Sequence, residues 1–360
     1  MIRFAIVTTL VPRRKGTGPP RPPHSFRMMA LETEKMGMVP ILVHPDDFHA
    51  DHIKGWIGRQ IGKADEKWVR KTMPLPDVVY DNVFVHLVNR GKTIRLRRIC
   101  RRRRIPLFNP YVPNKWIVHR ILQRIPETAS CLPVTRHARD PQDVFDLLNR
   151  FQTVYVKPAG GYGGQGVTRI AKMENGLYHV EIDRLHGTRV CFKKSMAEPQ
   201  LRRWLRHRLR SRHIVQQALR LMQVDGGQLD FRVVVQRTAD GEWMVIGIVP
   251  KIAAVGGVVT NLVAGGRKTS LDWLTEWASR HGKTIPLHRL ETAVLRIAGV
   301  WSKRLPTLAI LGFDMGVDVN GKVWMIELNT KPARSLLTPA MQQKSYRAFA
   351  EFAHYLATRR

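Results

Sequence analysis

Asp314, Glu327 and Asn329 carry oxygen ligands on one stretch, LGFDMGVDVNGKVWMIELNTKP, from Leu311 to Pro332. Two apolar runs, Phe313–Val319 and Lys322–Leu328, flank Asn320-Gly321, a dipeptide that tolerates the positive φ angles of a tight hairpin turn. Side chains alternate faces along a strand, so Glu327 and Asn329, two residues apart, share a face. A hairpin centred on Asn320-Gly321 sets the region of Asp314 across from Glu327. Two carboxylates and one amide oxygen then converge in an otherwise apolar sheet. One reading is a pair of solvated strand-end acids. The other is an oxygen-ligand site for a hard cation such as Mg²⁺, which takes a few carboxylates and completes its shell with water and phosphate.

A second constellation lies upstream, where Lys157-Pro158 leads into a glycine loop, Ala159–Gly166. Gly161-Tyr-Gly163-Gly-Gln-Gly166 spells G-x-G-x-x-G, but the dinucleotide fingerprint requires a helix directly afterwards. Val167–Ile170 reads instead as a returning strand. The chain has no G-x-x-x-x-G-K-[ST], and a kinase-type flap places its lysine after the glycines, whereas Lys157 precedes them. Two readings remain: a hairpin whose backbone N–H groups close over phosphates, with Lys157 on the entering strand, or a plain glycine-rich turn.

The elements that must position these residues follow from pattern. Ile2–Leu10 predicts a buried strand, Phe26–Met36 a helix, and Val39–Val43 and Asp77–Tyr80 two more strands, an alternation that marks a small α/β unit over residues 1–113. Asn114-Lys115-Trp116 opens a helix, and Pro141 begins another over Asp140–Asn149. Thr153–Val156 and His213–Leu219 read as strands around the amphipathic Leu201–Arg212, whose Leu201, Leu205 and Leu209 recur every fourth residue. Leu229–Arg237 and Trp243–Val249 form a hairpin about Asp240-Gly241. Tyr346–Thr358 reads as a helix.

Composition bounds the partners. The 360 residues hold 60 Lys plus Arg against 28 Asp plus Glu, a formal +32 that favours anionic partners. Cys100, Cys131 and Cys191 lack ligand spacing, which suits a reducing cytoplasm and speaks against a disulfide framework or zinc site. The apolar stretch Trp243–Gly266 is broken by Pro250, Lys251 and glycines, so no membrane span is expected. Seven arginines crowd Arg95–Arg104, and Arg202, Arg203, Arg206 and Arg210 line the non-leucine faces of Leu201–Arg212 with no acid inside that stretch. Each basic face is either solvated or a contact for an acidic polymer, a coat protein or nucleic acid.

The ordered set FNPYVPNKW, LPVT, VYVKPAGGYGGQGVTRI, HIVQQAL, DFRVVVQ, TNLVAGG and LGFDMGVDVNGKVWMIELNTKP resembles the ATP-grasp superfamily, and within it the YheC/YheD-like, endospore-coat-associated group. The resemblance runs from about Pro106 to Leu337. TNLVAGG is similar to a loop in glutathione synthetases and ribosomal-protein glutamate ligases.

What the resemblance implies is an ATP-grasp fold of mixed α/β (α+β) class behind an N-terminal α/β pre-ATP-grasp domain. The ATP-grasp domain would be residues 114–360, its lid about 151–219 and its metal-binding part about 220–340. ATP would lie between these parts, with Lys115 and Lys157 on the phosphates under a flap of Gly160, Gly161, Gly163, Gly164 and Gly166. Gln216, Gln217, Ala218 and Leu219 would form the hinge that reads adenine, although many relatives carry an acid where Gln217 stands. Asp230 would meet the ribose hydroxyls. Asp314, Glu327 and Asn329 would hold two Mg²⁺ ions, Glu327 bridging them.

The chemistry these parts suit is carboxylate activation: attack on the γ-phosphate gives an acylphosphate, which an amine then displaces. Lys251 and Arg232 are candidates for stabilising charge at the γ-phosphate and the tetrahedral intermediate, or else hairpin-edge cations. Asn261 joins them, and Arg334 is a candidate grip for a substrate carboxylate. An ATP-dependent carboxylate–amine ligase is thus the leading expectation. A non-catalytic ATP-binding coat protein and a nucleic-acid binder are the alternatives, the last without the aromatic interleaving of single-strand binders.

Overall fold

The computed structural model describes residues 1–11, 22–83, 91–110, 114–160, 165–185, 188–255 and 265–359. The glycines Gly161, Gly163 and Gly164 and the candidate Asn261 lie outside them. So does most of TNLVAGG.

The chain builds three sheets in succession. The first holds β1 (Arg3–Val7), β2 (Val39–Phe48), β3 (His52–Arg59), β4 (Lys67–Pro74), β5 (Val78–Asp81) and β6 (Leu107–Phe108), in the order β4-β3-β2-β1-β5-β6. β2, β1, β5 and β6 are parallel, and β3 and β4 add an antiparallel edge that the sequence reading does not anticipate. Alternation along β1 sorts the core. Phe4 and Ile6 face helix α1 (His24–Lys35), while Ala5 and Val7 face α2 (Ile94–Arg102) with its Leu96, Ile99 and Cys100.

The second sheet follows α3 (Lys115–Leu122) and the single turn α4 (Pro126–Ala129). Asn114 caps α3 by accepting from the Ile117 amide at 3.1 Å, which fixes where Lys115 enters. After β7 (Thr135–Ala138) comes α5 (Pro141–Phe151), capped by Asp140 and started by Pro141. Strands β8 (Thr153–Pro158), β9 (Thr168–Lys172), β10 (Tyr178–Leu185) and β11 (Thr188–Met196), helix α6 (Glu198–Arg208) and β12 (His213–Gln217) complete an antiparallel sheet ordered β11-β10-β9-β8-β12-β7. α5 and α6 cover one face through Val144, Phe145, Leu148, Leu201 and Leu205. β12 ends at Gln217, so Ala218 and Leu219 lie just beyond the strand expected to include them.

The third sheet takes β13 (Gln223–Val224), β14 (Gly227–Arg237), β15 (Trp243–Ile252), β16 (Arg267–Lys268), β17 (Ile310–Val317) and β18 (Val323–Asn329), ordered β16-β15-β14-β17-β18 with β13 beside β14. Helices α7 (Leu271–Arg280) and α8 (Leu287–Arg304) bury one face under Leu274, Val294, Ile297 and Trp301. The last helix, α9 (Pro339–Thr358), touches the other face through Ala348 and also lays Tyr346, Phe349 and Phe352 on the first sheet.

The hairpin at Asn320-Gly321 forms with a different turn from the two-residue one expected. Gly321 alone adopts positive φ (75°), and the Asp318 carboxylate accepts from the Asn320 and Lys322 amides at 2.9 and 3.0 Å. A longer, side-chain-braced loop therefore closes β17 onto β18.

Two contacts lock the first sheet to the third. Buried Asn109 donates to the Thr330 carbonyl at 2.8 Å and accepts from the Ile310 amide at 3.2 Å. Lys331 reaches the end of β5, donating to the carbonyls of Asp81 (2.8 Å) and Val83 (2.6 Å). Among the described residues no helix is long and apolar enough to cross a membrane.

Candidate functional site

The register of β14, β17 and β18 assembles the charges. Asp314 stands directly opposite Glu327 on one side and Arg232 on the other, while Asp230 pairs with Lys251. Because residues two apart share a face, Asp230 and Arg232 point away from the helix-covered core that takes Phe231 and Val233. β15 runs on to Ile252, so Lys251 is a strand residue and not one that follows the strand.

These groups neutralise one another closely. Arg232 grips Asp314 with two parallel bonds of 3.0 Å, and Lys251 lies 2.9 Å from Asp314 and 3.0 Å from Asp230. Burial works to raise the Asp314 carboxyl, but the Arg232 and Lys251 cations overcome it and hold it well below the usual carboxylate range. Burial likewise opposes charge on Lys251 and Arg232, and the facing carboxylates Asp230 and Asp314 more than offset it, so both cations titrate above their ordinary values.

Glu327 is paired less tightly, 3.3 Å from Lys115. That lysine starts α3, where its amide donates to the Ala159 carbonyl at 3.1 Å, tying the helix to the root of the glycine loop. Lys157, on β8, donates to Gln216 Oε1 at 2.5 Å, and Gln216 passes the network to the Thr135 hydroxyl at 3.0 Å. Burial, with the neighbouring Lys115 cation, brings the Lys157 amine down to about 8. Lys115, Thr135, Lys157, Gln216 and Glu327 line one cleft between the second and third sheets, and Asp230, Arg232, Lys251 and Asp314 lie outside its lining.

The remaining candidates are distributed as follows. Gly160 is exposed, and Gly166, at φ 68°, offers its carbonyl to Arg208 at 2.7 Å. A Cβ on Gly166 would come within 3.1 Å of that guanidinium and 3.2 Å of the Pro158 ring, so both conformation and space call for glycine. Gln217 uses its amide N–H on the Val134 carbonyl (2.8 Å) and its side-chain oxygen on the Val134 amide (3.2 Å). Ala218 donates to Thr153. Asn329 Oδ1 accepts from the Lys331 amide at 2.8 Å. Arg334 is held against α9, 3.5 Å from the Ser345 hydroxyl and over the Phe349 ring, and makes no contact with the Asp314 cluster.

The donor set suits a hard divalent cation. Its atoms are all oxygens, two carboxylates face each other across a strand pair, and Asn329 follows Glu327 on the same face. Among the described residues no three His, Cys, Asp or Glu side chains gather as ligands, so a cation held here would need water or phosphate for its remaining positions.

The sequence matches the family model described as YheC/D like ATP-grasp over residues 104–356. The chain belongs to the YheC/D-like ATP-grasp family. It is 29% identical over 321 residues to the endospore coat-associated protein YheD of Bacillus subtilis (strain 168), covering 87% of this chain and 69% of that protein. To the endospore coat-associated protein YheC of the same organism it is 22% identical, over 78% of this chain and 77% of that one. Among solved structures, a Chryseobacterium gregarium RiPP-associated ATP-grasp ligase, in complex with ADP and a leader and core peptide, superposes with a TM-score of 0.54. It shares 13% identity and covers 98% of this chain and 97% of its own. The mixed α/β architecture is thus the ATP-grasp fold.

In this ATP-grasp chain, sequence reasoning missed two supports of the candidate site. One is the Thr135–Gln216 relay behind Lys157. The other is Lys331, whose tether to Asp81 fixes the strand end that carries Asn329. A lysine two residues past a ligand candidate is the only local signal for the second.

Proposed function

We propose that this protein is an ATP-dependent ligase that joins a carboxylate to an amine. The observation that carries the reading is the cross-strand Asp314–Glu327 pair facing Lys115 and Lys157 within a YheC/D-like ATP-grasp chain. Asp314, Glu327 and Asn329 would hold Mg²⁺, which when bound neutralises phosphate charge and lowers the barrier to phosphoryl transfer.

The rest falls to the chain's own side chains. Lys157 and Lys115 bind the α- and β-phosphates of ATP, exchanging their bonds to Gln216 and Glu327 for phosphate oxygens. Gly160 and Gly166 let the backbone come close to the phosphates and help exclude water, so that the carboxylate and not water attacks the γ-phosphorus. Lys251 and Arg232, released in part from Asp314, face the charge that builds on the transferred group and on the tetrahedral adduct formed when the amine attacks the acylphosphate. No protein nucleophile is required, and phosphate leaves as the amide bond forms.

The C. gregarium ligase with its leader and core peptide supports a peptide as one substrate to try. The curated relatives, both called endospore coat-associated, support a coat protein as a partner and the coat as a site of action; an acidic polymer is suggested only by the formal +32. Incubation with ATP, Mg²⁺ and a pool of amino acids and acidic peptides, followed by mass spectrometry, tests the proposal. A new amide product with stoichiometric ADP is expected. Nucleotide binding with no product or ADP from any pool would favour a non-catalytic, ATP-binding coat protein, the second reading that those relatives' names support.

A further inference from the structure

The far end of the cleft holds a polar atom that the ligase reading does not use. His119 lies four residues, about 6 Å, along α3 from Lys115 and therefore on the same face. Its side chain lines the cleft and is 6% exposed, yet Nε2 has no hydrogen-bond partner among the described residues. A buried, unsatisfied polar atom is rare enough to require a reason, and a missing ligand is one such reason.

The surroundings say which part of a ligand it would meet. Lys115, Lys157 and Glu327 put charge on the cleft walls, and Val118, Ile214 and Met325 add apolar surface. The polar neighbours there are already committed. Gln216 is shared between Lys157 and Thr135, and the Thr135 hydroxyl also donates to the Pro133 carbonyl at 2.9 Å. Burial lowers the imidazole to about 4, so the ring is neutral at physiological pH and suits an uncharged partner better than a phosphate. Trp116 lies nearly parallel to the ring at 6.2 Å between centroids, and restrains its orientation. Apolar wall beside one fixed, neutral hydrogen-bonding group is the kind of surface that takes a heteroaromatic ring by its edge.

We infer that His119 hydrogen-bonds the base of the bound nucleotide through Nε2 and so acts as a base-recognition residue of this chain. The inference rests on the nucleotide site proposed above.

The test measures calorimetric affinities for Mg²⁺ with the non-hydrolysable analogue AMPPNP, and for Mg²⁺ with inorganic tripolyphosphate, which has no base. His119→Leu should weaken AMPPNP about tenfold, the loss of one buried hydrogen bond, and leave tripolyphosphate unchanged. His119→Gln, which keeps a hydrogen-bonding group, should recover part of the loss. Because leucine removes an unsatisfied atom, the ligand-free melting temperature should not fall. Equal AMPPNP affinity in His119→Leu and the parent overturns the inference, and so does equal weakening of both ligands, which would make His119 a general wall of the cleft. If His119→Leu fails to fold, the His119→Gln and parent affinities decide alone: equal ratios of AMPPNP to tripolyphosphate affinity, with no ¹⁵N shift of the parent imidazole on binding AMPPNP, overturn it. Failure of the parent to bind AMPPNP at all would instead bring down the nucleotide site, and the inference with it.

Discussion

Lys331 and Asp81, 250 positions apart, meet in the interior: the lysine Nζ is 3.2 Å from the buried carboxylate and also bonds the Asp81 carbonyl. Arg97 completes the cluster from α2, 2.5 Å from the other carboxylate oxygen. The pair sits between the end of the parallel sheet and the strand end carrying Asn329. Its side chains are 6% and 0% exposed. Removing the lysine leaves the Asp81 carboxylate with Arg97 alone and two buried carbonyls without their donor, so Lys331→Met should cost about 3 kcal/mol in denaturant unfolding. A loss within experimental error of zero would show that the tether is dispensable to the fold.

Glu327 is expected to report the metal. On the proposed function, Mg²⁺-ATP would bind only the folded chain and should raise its melting temperature. Glu327→Ala should melt close to the parent without ligand, since its one partner, Lys115, is partly exposed, yet lose the Mg²⁺-dependent part of the shift. A full shift in the variant would remove Glu327 from the metal site.

Lys157 is expected to take up a proton. Its folded value near 8 lies below the ordinary 10.5, so the unfolded chain holds more protons between those limits, and the ligand-free protein gains stability from this group as pH rises through that window. A phosphate beside the amine restores the charged form. Binding of Mg²⁺-ATP at pH 8 should therefore take up about half a proton, and close to none at pH 6.5. Calorimetry in buffers of different ionisation enthalpy reads this directly, with Lys157→Met as the control. Equal uptake in parent and variant would place another group on the phosphates.

Gly166 should be sensitive in a way that separates closure from binding. Gly166→Val meets both the positive φ and the Arg208 contact, and should slow turnover more than it weakens nucleotide affinity. Unaltered turnover would make the loop only a turn.

The arginines of α6 divide into two sets. The helix begins at Glu198, outside the stretch read from sequence, and Glu198 pairs with Arg202 at 2.7 Å; Arg202 also lies over the Phe145 ring. Arg202 therefore serves the fold, contrary to the expectation that no acid of the helix meets it. Arg203 and Arg206 on the helix, and Arg210 beyond its end at Arg208 (short of the Arg212 expected from sequence), are exposed and make no ion pair among the described residues. Reversing these three to Glu should abolish salt-sensitive retention on heparin or polyglutamate and leave Mg²⁺-ATP affinity unchanged. Parent-like retention would mean a merely solvated face.

The sequence was most legible where a period and a turn signal coincided. Alternation on either side of Asn320-Gly321 gave the pairing of Asp314 with Glu327, because both strands bury one face. It was least legible where strands are polar. β4, KWVRKTMP, is an edge whose outward residues are cationic, and β10 alternates buried Tyr178, Val180 and Ile182 with charged neighbours. Edges carry such residues to discourage further pairing, and the charge hides the strand. α7 and α8 were also passed over. The clamp of Arg232 and Lys251 on Asp314 depends on register across three strands, which no local pattern contains. The Lys331 tether likewise depends on how two sheets meet.

α9 has a bearing on how the molecule is made. The face of the first sheet that holds Phe4, Tyr80 and Phe108 is closed by Phe349 and Phe352, with Tyr80 and Phe349 in edge contact at 4.2 Å. A nascent chain emerging from the ribosome therefore presents its first strands long before the residues that seal them exist. The first sheet must wait, part of its aromatic surface bare, until α9 has been made. Such a chain depends on chaperones during translation more than one whose early segments close on themselves.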